Sequence, residues 1–255
     1  MLDIIHGDAL AVMQDIADGS FDALITDPPY CSGGSGREYK MTTAQKYTNT
    51  KGKSTQIDFA DGMMPRTWRR FTQEWMREGL RVCKDGAPML VFCDWRQIAD
   101  VQDMVGISGW TIRGLLVWDK VNSRPQLGRP RQDAEFIVFA SKGAMPRDRE
   151  SGYASKVAPG VYRHNVVYDR NRAHMTVKPL ALMRELVRIT TPGGVILDPF
   201  AGSGTTIIAA ALEGYEGMGI EVVPAIAETA RRRVEAECDA SLEESNLRQS
   251  SRQHA

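Results

Sequence analysis

The sequence predicts an α/β fold with a doubly wound, mostly parallel sheet of seven strands. Short runs rich in Val, Ile, Leu and Phe recur along the 255 residues, and segments with helical spacing of apolar residues separate them. The short runs are continuously apolar rather than alternating. This pattern is typical of strands that helices cover on both faces of a sheet.

Seven strands and five helices account for most of the chain. The predicted strands are Asp3–His6, Phe21–Thr26, Pro88–Cys93, Gly114–Trp118, Glu135–Ala140, Val195–Asp198 and Gly217–Glu221. The predicted helices are Thr67–Val82, Trp95–Val105, Pro179–Ile189, Thr205–Glu213 and Ala225–Glu237. Three segments lie outside this alternation. Residues 31–66 are polar and Gly-rich and predict a mobile or functional loop, residues 141–173 form a second irregular insert, and we expect the polar tail 239–255 to be disordered.

The composition is that of an ordinary soluble protein, with 42% hydrophobic and 25% charged residues and a net charge of zero. A nucleic-acid partner would therefore have to rely on local basic patches. The N-terminus carries Asp3 and His6 instead of a basic region, and no run of eighteen apolar residues occurs. We expect no signal peptide, no membrane span and a cytoplasmic location.

The cysteines and histidines do not indicate a metal site. Cys31, Cys83, Cys93 and Cys238 show neither CxxC spacing nor clustering with the four histidines. A disulfide framework is not typical of a chain of this length, so we expect buried or incidental reduced thiols.

The first motif with chemical content is DPPY at residues 27–30, directly after a predicted buried strand. Pro28 and Pro29 have no backbone N–H group, and the first is held extended by the second, so the strand must end there. The carboxylate of Asp27, a rigid carbonyl and the ring of Tyr30 therefore lie together where the chain leaves the sheet. The alternative is a turn-forming Asp-Pro pair followed by a core aromatic.

The second motif is VILDPFAGSGTT at residues 195–206, where a strand ends in Asp198 and a glycine turn precedes a helix. Glycines allow a backbone to approach a ligand closely. The next strand ends in Glu221, which could accept both hydroxyls of a ribose. The spacing is not GxGxxG, so NAD is the weaker interpretation. If the strands that end at Asp27 and Asp198 are neighbours at the switch point of the sheet, the two motifs face each other.

Together these motifs resemble the β class of S-adenosylmethionine-dependent DNA amino-methyltransferases. DPPY is similar to their catalytic motif and DPFAGSGT to their cofactor motif. HMTVKP (174–179), HGDAL (6–10) and LVWDK (116–120) resemble further family segments, and all five occur in the order of the β class. The resemblance covers about residues 2–237. It implies a circularly permuted, Rossmann-like methyltransferase domain at residues 1–238, with helix 225–237 next to the strand Asp3–His6.

The resemblance also implies the roles of single residues. The catalytic residues are Asp27, Pro28, Pro29 and Tyr30: Asp27 and the Pro28 carbonyl would accept the N–H groups of the target amine, and Tyr30 would stack on a flipped base. The implied cofactor residues are Asp8, Ala9, Thr176, Lys178, Asp198, Pro199, Phe200, Gly202, Ser203, Gly204, Thr205 and Glu221. Glu221 would hold the ribose, Asp8 the adenine amine, and Asp198 with the glycine turn the methionyl ammonium. Lys178 would lie near the methionyl carboxylate, or else be a solvated charge before Pro179.

The implied partner is double-stranded DNA, and local charge agrees with it. Residues 120–178 contain twelve Lys and Arg against five acidic residues, and residues 31–53 contain five against Glu38. The candidate phosphate contacts are Lys156, Arg163, Arg170 and Arg172, and Tyr153, Tyr162 and Tyr168 either contact bases or pack in the core. The insert 141–173 takes the place of the target-recognition region of the family. Because it is short, we expect either a brief recognition sequence or a second subunit, that is, a homodimer.

The implied product is N6-methyladenine. Adenine enzymes of the family mostly carry aspartate at the first position of the catalytic motif, as at Asp27, whereas cytosine-N4 enzymes often carry serine. Cytosine-N4 methylation and a catalytically inactive DNA-binding regulator remain the alternatives. An enzyme that methylates RNA or a protein glutamine amide is a further one.

Overall fold

The computed structural model describes residues 2–30, 65–125, 127–145, 158–167 and 177–253. The strands are β1 Leu2–His6, β2 Ala23–Thr26, β3 Pro88–Cys93, β4 Thr111–Asp119, β5 Ala134–Ser141, β6 Val161–Arg163, β7 Val195–Asp198 and β8 Glu216–Glu221. The helices are α1 Ala9–Gln14, α2 Pro65–Val82, α3 Ile98–Ile107, α4 Leu180–Val187, α5 Thr205–Leu212 and α6 Pro224–Gln253.

One sheet contains all of these strands, in the order β1-β8-β7-β2-β3-β5-β4-β6. Every neighbouring pair is parallel except the two that involve β5, which is antiparallel to both β3 and β4. This confirms the doubly wound, mostly parallel sheet. The prediction of seven strands is wrong, because β6 adds an eighth inside the insert 141–173. A strand of three residues is too short to show a periodic pattern in sequence.

The switch point of the sheet lies between β2 and β7. These strands are parallel neighbours at its centre, with Leu24 opposite Leu197. From there the sheet extends through β3 on one side and through β8 and β1 on the other. The carboxyl ends of β2 and β7 therefore meet where a ligand crevice is expected in such sheets, which confirms that DPPY and the glycine turn face each other.

Helices cover both faces of the central strands. Every residue of β2 is buried. Leu24 packs in one core cluster with Trp75 and Met76 of α2, whereas Ile25 packs in another with Leu182 of α4. Burial on both faces is the reason that the strand reads as a continuous apolar run rather than an alternating one.

The C-terminal helix packs on the N-terminal strand, as the permuted order of motifs predicts. Ile4 of β1 shares a core cluster with Ala227, Ala230 and Val234 of α6. The guanidinium of Arg231 donates to the backbone oxygen of Ile4 at 2.8 Å. Helix and strand therefore form one packed unit at this side of the sheet.

Several element bounds differ from the sequence-based expectation, as that of β4 does by starting at Thr111 and not at Gly114. Helix α6 continues to Gln253, so the prediction of a disordered tail is wrong for residues 239–253. No proline or glycine occurs from 225 to 253, and extending an existing helix costs far less than starting one. Helix α1 was not predicted, because six residues show no clear helical period. Helix α2 begins at Pro65, inside the predicted loop 31–66, and residues 31–64 lie outside the described residues.

The described residues also bear on membrane spans, cysteines and metal ligands. No helix in the described ranges is long and apolar enough to cross a membrane. Cys83 and Cys93 are buried, and burial raises the pKa of each thiol to about 12. Both thiols are therefore protonated and unreactive at neutral pH. In the part of the chain that the structure describes, no three His, Cys, Asp or Glu side chains are grouped to hold a metal ion.

Candidate active site

The DPPY segment leaves the carboxyl end of β2 in a fixed conformation. The indole N–H of Trp68 donates to the backbone oxygen of Pro29 at 3.0 Å. The hydroxyl of Tyr30 donates to Oδ1 of Asp27, and the ring of Tyr30 packs against the clusters on both faces of the sheet. Because Trp68 takes the carbonyl of Pro29 and not that of Pro28, the Pro28 carbonyl is the one that a substrate amine could use.

Lys178 is buried against this segment. Its ammonium nitrogen lies 2.5 Å from Oδ2 of Asp27 and 2.7 Å from Oε1 of Glu135, and its side chain is only 11% exposed. The ammonium also lies 4.8 Å from the centre of the Phe92 ring. The alternative of a solvated lysine is therefore wrong. Lys178 contacts the carboxylate of Asp27, the candidate catalytic residue, and no contact of this kind was expected from the sequence.

Glu135 is a site residue that the sequence analysis missed. It lies near the start of β5, which runs antiparallel to its neighbours and so begins at the edge of the sheet where β2 ends. Its second oxygen, Oε2, lies 2.6 Å from the ammonium of Lys120. Lys120, Glu135, Lys178 and Asp27 thus form a chain of alternating charge that ends at the candidate active site. An acidic residue that opens an otherwise apolar strand was the available signal.

Burial and neighbouring charges shift the pKa values of the groups in this chain. Burial raises the pKa of Asp27 above its ordinary value, although the ammonium of Lys178 opposes that effect. Burial acts in the same way on Glu135, but Lys178 and Lys120 hold the pKa of Glu135 below its usual range. Burial and the Asp27 carboxylate keep the pKa of Tyr30 well above its ordinary value. Tyr30 is therefore a neutral hydrogen-bond donor to Asp27.

Asp198 joins the ends of β2 and β7. Its Oδ1 accepts from the hydroxyl of Thr26 at 2.6 Å and from the backbone N–H of Phe200 at 3.1 Å, while Oδ2 accepts from the hydroxyl of Thr206 at 2.6 Å. The residue is 2% exposed, and burial raises its pKa to about 6 although all three donors oppose the shift. Its carboxylate therefore holds the two motifs together. The expected contact with the methionyl ammonium stays a prediction.

The glycine turn leaves open space beside the switch point. Gly202 and Gly204 adopt φ values of +51° and +80°, which L side chains rarely adopt. A side chain at Gly204 would meet Ala230 of α6 at 3.3 Å, whereas nothing lies within 4 Å of the corresponding position at Gly202. The guanidinium of Arg233 donates to the backbone oxygen of Ser203, in the middle of the turn. Gly204 thus serves helix packing, and Gly202 leaves room for a ligand.

Carboxylates border this space at the ends of β8 and β1. Oε2 of Glu221 accepts from the backbone N–H of Gly202 at 3.1 Å, and Oε1 accepts from that of Val223 at 2.9 Å. His6 lies opposite Glu221 in the sheet, so Asp8 follows on the same edge. Asp8 is exposed and caps α1 by accepting from the N–H of Ala11 at 3.1 Å. Acceptors for hydroxyl and amine groups beside an open glycine turn fit a nucleoside cofactor.

Comparison with known proteins decides the family. A family profile described as DNA methylase, for N6 and N4 amino groups, matches residues 21–232. The chain belongs to the N6/N4 DNA methylase family. This family is S-adenosylmethionine-dependent, so the protein is a site-specific DNA methyltransferase with that cofactor.

Two relatives and two solved structures cover nearly the whole methyltransferase. The type II methyltransferase M.Cfr9I of Citrobacter freundii is 26% identical over 92% of this chain and 88% of its own length. The type II methyltransferase M2.MboI of Moraxella bovis is 26% identical over 90% of this chain and 86% of its own length. The M1.HpyAVI–SAM complex matches with a TM-score of 0.65 and 25% identity, over 92% and 99%. The cytosine-N4-specific PvuII methyltransferase, 15% identical with a TM-score of 0.66 over 94% and 92%, shares the fold.

The remaining cofactor candidates of the methyltransferase lie mainly in packed positions. The ring of Phe200 contacts those of Phe71 and Trp75 edge-on, at centroid distances of 5.9 and 5.3 Å. Ala9, Pro199 and Thr205 are buried, and Ser203 is half-buried. Phe200 thus anchors the turn in the core, and its expected contact with the cofactor stays a prediction. Thr176 lies outside the described residues.

The predicted DNA contacts are only partly visible. Arg163 ends β6 at the same edge of the sheet as the carboxyl end of β2, which we call the catalytic edge because the candidate active site lies there. Its side chain is 73% exposed, and its Nε lies 2.9 Å from Oδ2 of Asp119. Tyr162 is 4% exposed and belongs to the core, so the structure decides between the two roles left open for it. The other candidates, Tyr153, Lys156, Tyr168, Arg170 and Arg172, lie outside the described residues.

Proposed function

We propose that this methyltransferase transfers a methyl group from S-adenosylmethionine to N6 of adenine in double-stranded DNA. The observation that carries the proposal is the carboxylate of Asp27, which buried Lys178 and Tyr30 fix at the switch point opposite the glycine turn. Fixed acceptors aimed at the place where charge develops need no reorganisation during a reaction.

The chain's own groups activate the target amine. An exocyclic amine is a poor nucleophile because its lone pair is delocalised into the ring. Asp27 and the Pro28 carbonyl accept its two N–H bonds, which draws the nitrogen toward a tetrahedral geometry and frees the lone pair. Bound S-adenosylmethionine supplies the methyl group as an electrophilic carbon on a sulfonium. After transfer the nitrogen carries one proton too many, and Asp27 is the carboxylate placed to receive it.

Lys178 and Tyr30 prepare Asp27 for this role. The positive charge of Lys178 favours the ionised carboxylate, which is the form that accepts hydrogen bonds. The hydroxyl of Tyr30 fixes Oδ1 of Asp27, and the same bond orients the aromatic ring beside the site. A base inside a duplex has its amine engaged in pairing, so it must leave the stack, and the face of Tyr30 offers a surface on which it can lie.

The aspartate supports adenine as the target base. Adenine enzymes of the family mostly carry aspartate at this position, whereas cytosine-N4 enzymes often carry serine. Cytosine-N4 methylation is the second candidate, because a carboxylate would also serve a cytosine amine and the fold is shared with a cytosine-N4-specific enzyme. The intact DPPY segment and its ion pair argue against an inactive regulator.

Product analysis tests the proposal. The purified protein is incubated with methyl-labelled S-adenosylmethionine and, in parallel, with duplex DNA, RNA and protein extract. The DNA is then digested to nucleosides, which are identified by mass spectrometry. We expect the modified nucleoside to be N6-methyl-2′-deoxyadenosine, and we expect the labelled methyl group to appear in DNA alone. Methylcytosine as the sole product would establish the second candidate, and no label in DNA would refute the proposed activity.

The basic residues of the insert are proposed as phosphate contacts. Arg163 is exposed at the catalytic edge, although its charge is shared with Asp119. The assignment of three further residues as phosphate contacts depends only on their charge and their position in the sequence: Lys156, Arg170 and Arg172. Neutralising the three arginines should weaken binding to every DNA sequence and reduce the salt dependence by roughly one unit of slope per lost contact.

A further inference from the structure

One tryptophan of the methyltransferase differs from the others. Trp95 is 57% exposed, whereas the other four, Trp68, Trp75, Trp110 and Trp118, are 3% exposed or less. Trp95 follows the carboxyl end of β3 by two residues, and β3 is the neighbour of β2. The exposed indole therefore lies on the same edge of the sheet as DPPY. An exposed tryptophan at such an edge marks a candidate binding surface, since this side chain is highly buried on average.

An exposed loop begins at the same edge of the sheet. The loop Val121–Gln132, which we call the basic loop, connects β4 to β5 directly after Lys120. Lys120 pairs with Glu135, and Glu135 shares Lys178 with Asp27, so three ion pairs in series link the base of the loop to the carboxylate of Asp27.

The base of the basic loop is fixed by hydrogen bonds. The backbone N–H of Lys120 donates to the oxygen of Asp133 at 2.6 Å and closes the loop. The side-chain amide of Asn122 donates to the oxygen of Val166 at 3.1 Å and accepts from its N–H at 2.6 Å. The loop therefore projects from an anchored stem.

The chemistry of the basic loop suits a polyanion with apolar faces. It contains Arg124, Arg129 and Arg131 and no acidic residue, and Pro125 and Pro130 stiffen its backbone. Arg129 is exposed, and Arg131 pairs with Asp133 at 3.0 Å just outside the loop. Leu127 is fully exposed, at 104%. Arginines complement phosphates, and an exposed leucine among them has apolar base faces as its natural partner.

We propose that Trp95 and Leu127 contact the bases next to the target nucleotide, while the arginines of the basic loop hold the flanking phosphates. Departure of a base from the stack exposes the faces of its neighbours, and apolar side chains at the catalytic edge can cover them. The inference rests on the proposed function for the presence of a flipped base. It adds the surface that receives the duplex and two residues that stabilise its opened form.

Fluorescence quenching tests the surface without knowledge of the recognition sequence. Because four tryptophans are buried, acrylamide should quench Trp95 selectively, and the Trp95→Phe variant identifies its contribution. We expect sheared duplex genomic DNA to protect Trp95 and S-adenosylmethionine alone to leave it accessible. Unchanged quenching at saturating DNA would overturn the proposal. Protection that appears without DNA as the protein concentration rises would instead make the surface a contact between two copies, and would also overturn it.

Matched variants test the two parts of the surface. Leu127→Ala should lower kcat/KM for DNA about tenfold, because the variant loses a contact with a base. The affinity for S-adenosylmethionine should not change. The control Ile107→Ala changes a residue that is 53% exposed at the opposite edge of the sheet and should behave as wild type. Arg129→Gln should reduce the salt slope of DNA binding by about one unit, whereas Arg77→Gln, exposed on α2, should not.

The outcomes separate this inference from the proposed function. A Leu127→Ala enzyme as active as wild type would refute the role of the leucine. A wild-type enzyme whose Trp95 is protected by DNA but whose product is methylcytosine would support the surface and refute the adenine assignment. If the protein methylates no DNA, and if DNA does not protect Trp95 from acrylamide, both the proposed function and this inference are refuted.

Discussion

The ammonium of Lys178 lies 2.5 Å from a carboxylate oxygen of Asp27, although 151 residues separate the two in sequence. The contact joins the segment before helix α4 to the DPPY motif. Glu135 holds the same ammonium at 2.7 Å from its other side. Lys178 therefore keeps a second counter-ion when the carboxylate of Asp27 also accepts from a substrate amine, so the buried ammonium stays paired throughout.

Replacement of Lys178 by methionine should lower kcat and move the acid limb of its pH profile to higher pH. Burial acts to raise the pKa of Asp27, and Lys178 is the main group that opposes this effect. The other titratable groups that interact with the Asp27 carboxylate are Glu135, Tyr30, Cys93 and Asp198. Without the lysine, Asp27 stays protonated up to a higher pH, and a protonated carboxyl accepts the amine poorly. We expect a loss of roughly tenfold or more at neutral pH, measured as kcat against pH.

Two variants control this measurement. Lys178→Arg keeps the charge and should restore part of the activity and the position of the acid limb. Lys84→Met removes an exposed lysine that pairs with Asp22 at the opposite edge of the sheet, and it should leave the profile unchanged. An acid limb that stays in place in Lys178→Met would show that the lysine does not set the ionisation of Asp27.

Replacement of Asp27 by alanine should abolish methyl transfer and leave cofactor affinity nearly intact. Asp27 directly follows β2 and is the proposed acceptor of the amine, whereas the candidate ribose acceptor Glu221 ends β8, beyond β7 in the sheet. We expect less than about a tenth of wild-type activity, since removal of one preorganised partner of the reacting group commonly costs more. Transfer of labelled methyl groups and calorimetry with S-adenosylmethionine measure the two effects. Asp103→Ala, an exposed carboxylate on α3, is the control; activity above a tenth in Asp27→Ala contradicts the role.

Short motifs and apolar periodicity in the sequence predict the sheet and the place of the two motifs at its edge. DPPY and the glycine turn each follow a buried strand, so their meeting at the carboxyl edge follows from the rules of parallel sheets. The ion pair of Lys178 could not be derived in this way. It depends on Glu135, whose strand lies antiparallel beside β3, and only the three-dimensional sheet places that residue opposite the end of β2.

Asp198 shows a different limit of sequence reasoning. Its position in the cofactor motif indicates a role near the ligand, but three donors from Thr26, Phe200 and Thr206 surround its carboxylate. Threonines are common and do not signal their partners in sequence. The eighth strand and the extension of α6 were missed for a simpler reason. Three residues carry no period, and a polar helix carries no apolar one.

Replacement of Glu221 by alanine should weaken cofactor binding before it affects chemistry. Its oxygens accept from the N–H groups of Gly202 and Val223, so the carboxylate shapes the turn as well as offering lone pairs to a ribose. We expect a loss of about 1–3 kcal/mol in binding free energy for a charge-assisted pair of hydrogen bonds. Calorimetry measures it, with Glu216→Ala at the other end of β8 as the control. Equal affinity in Glu221→Ala and wild type would refute the assignment.

Replacement of Asp198 by asparagine should change how stability depends on pH. Burial raises the pKa of Asp198 to about 6 in the folded protein, from 3.8 for an unperturbed carboxyl. The folded state therefore binds a proton more tightly than the unfolded state between these values. The contribution of Asp198 to stability is fully present below about pH 4 and is lost as pH rises through about 6, because an ionised carboxylate must then be buried.

The free energy of unfolding of wild type, relative to Asp198→Asn, should therefore increase as pH falls from about 6 to about 4. The expected change is up to about 3 kcal/mol, because each unit of pKa shift corresponds to about 1.4 kcal/mol. Asparagine is neutral throughout, so any altered contact with Thr26 or Thr206 adds an offset that does not vary with pH. Urea unfolding of both proteins at several pH values, without cofactor, measures the difference. A difference that is constant from pH 4 to 7 would show that Asp198 is not a carboxyl of raised pKa, and that its three donors offset its burial completely.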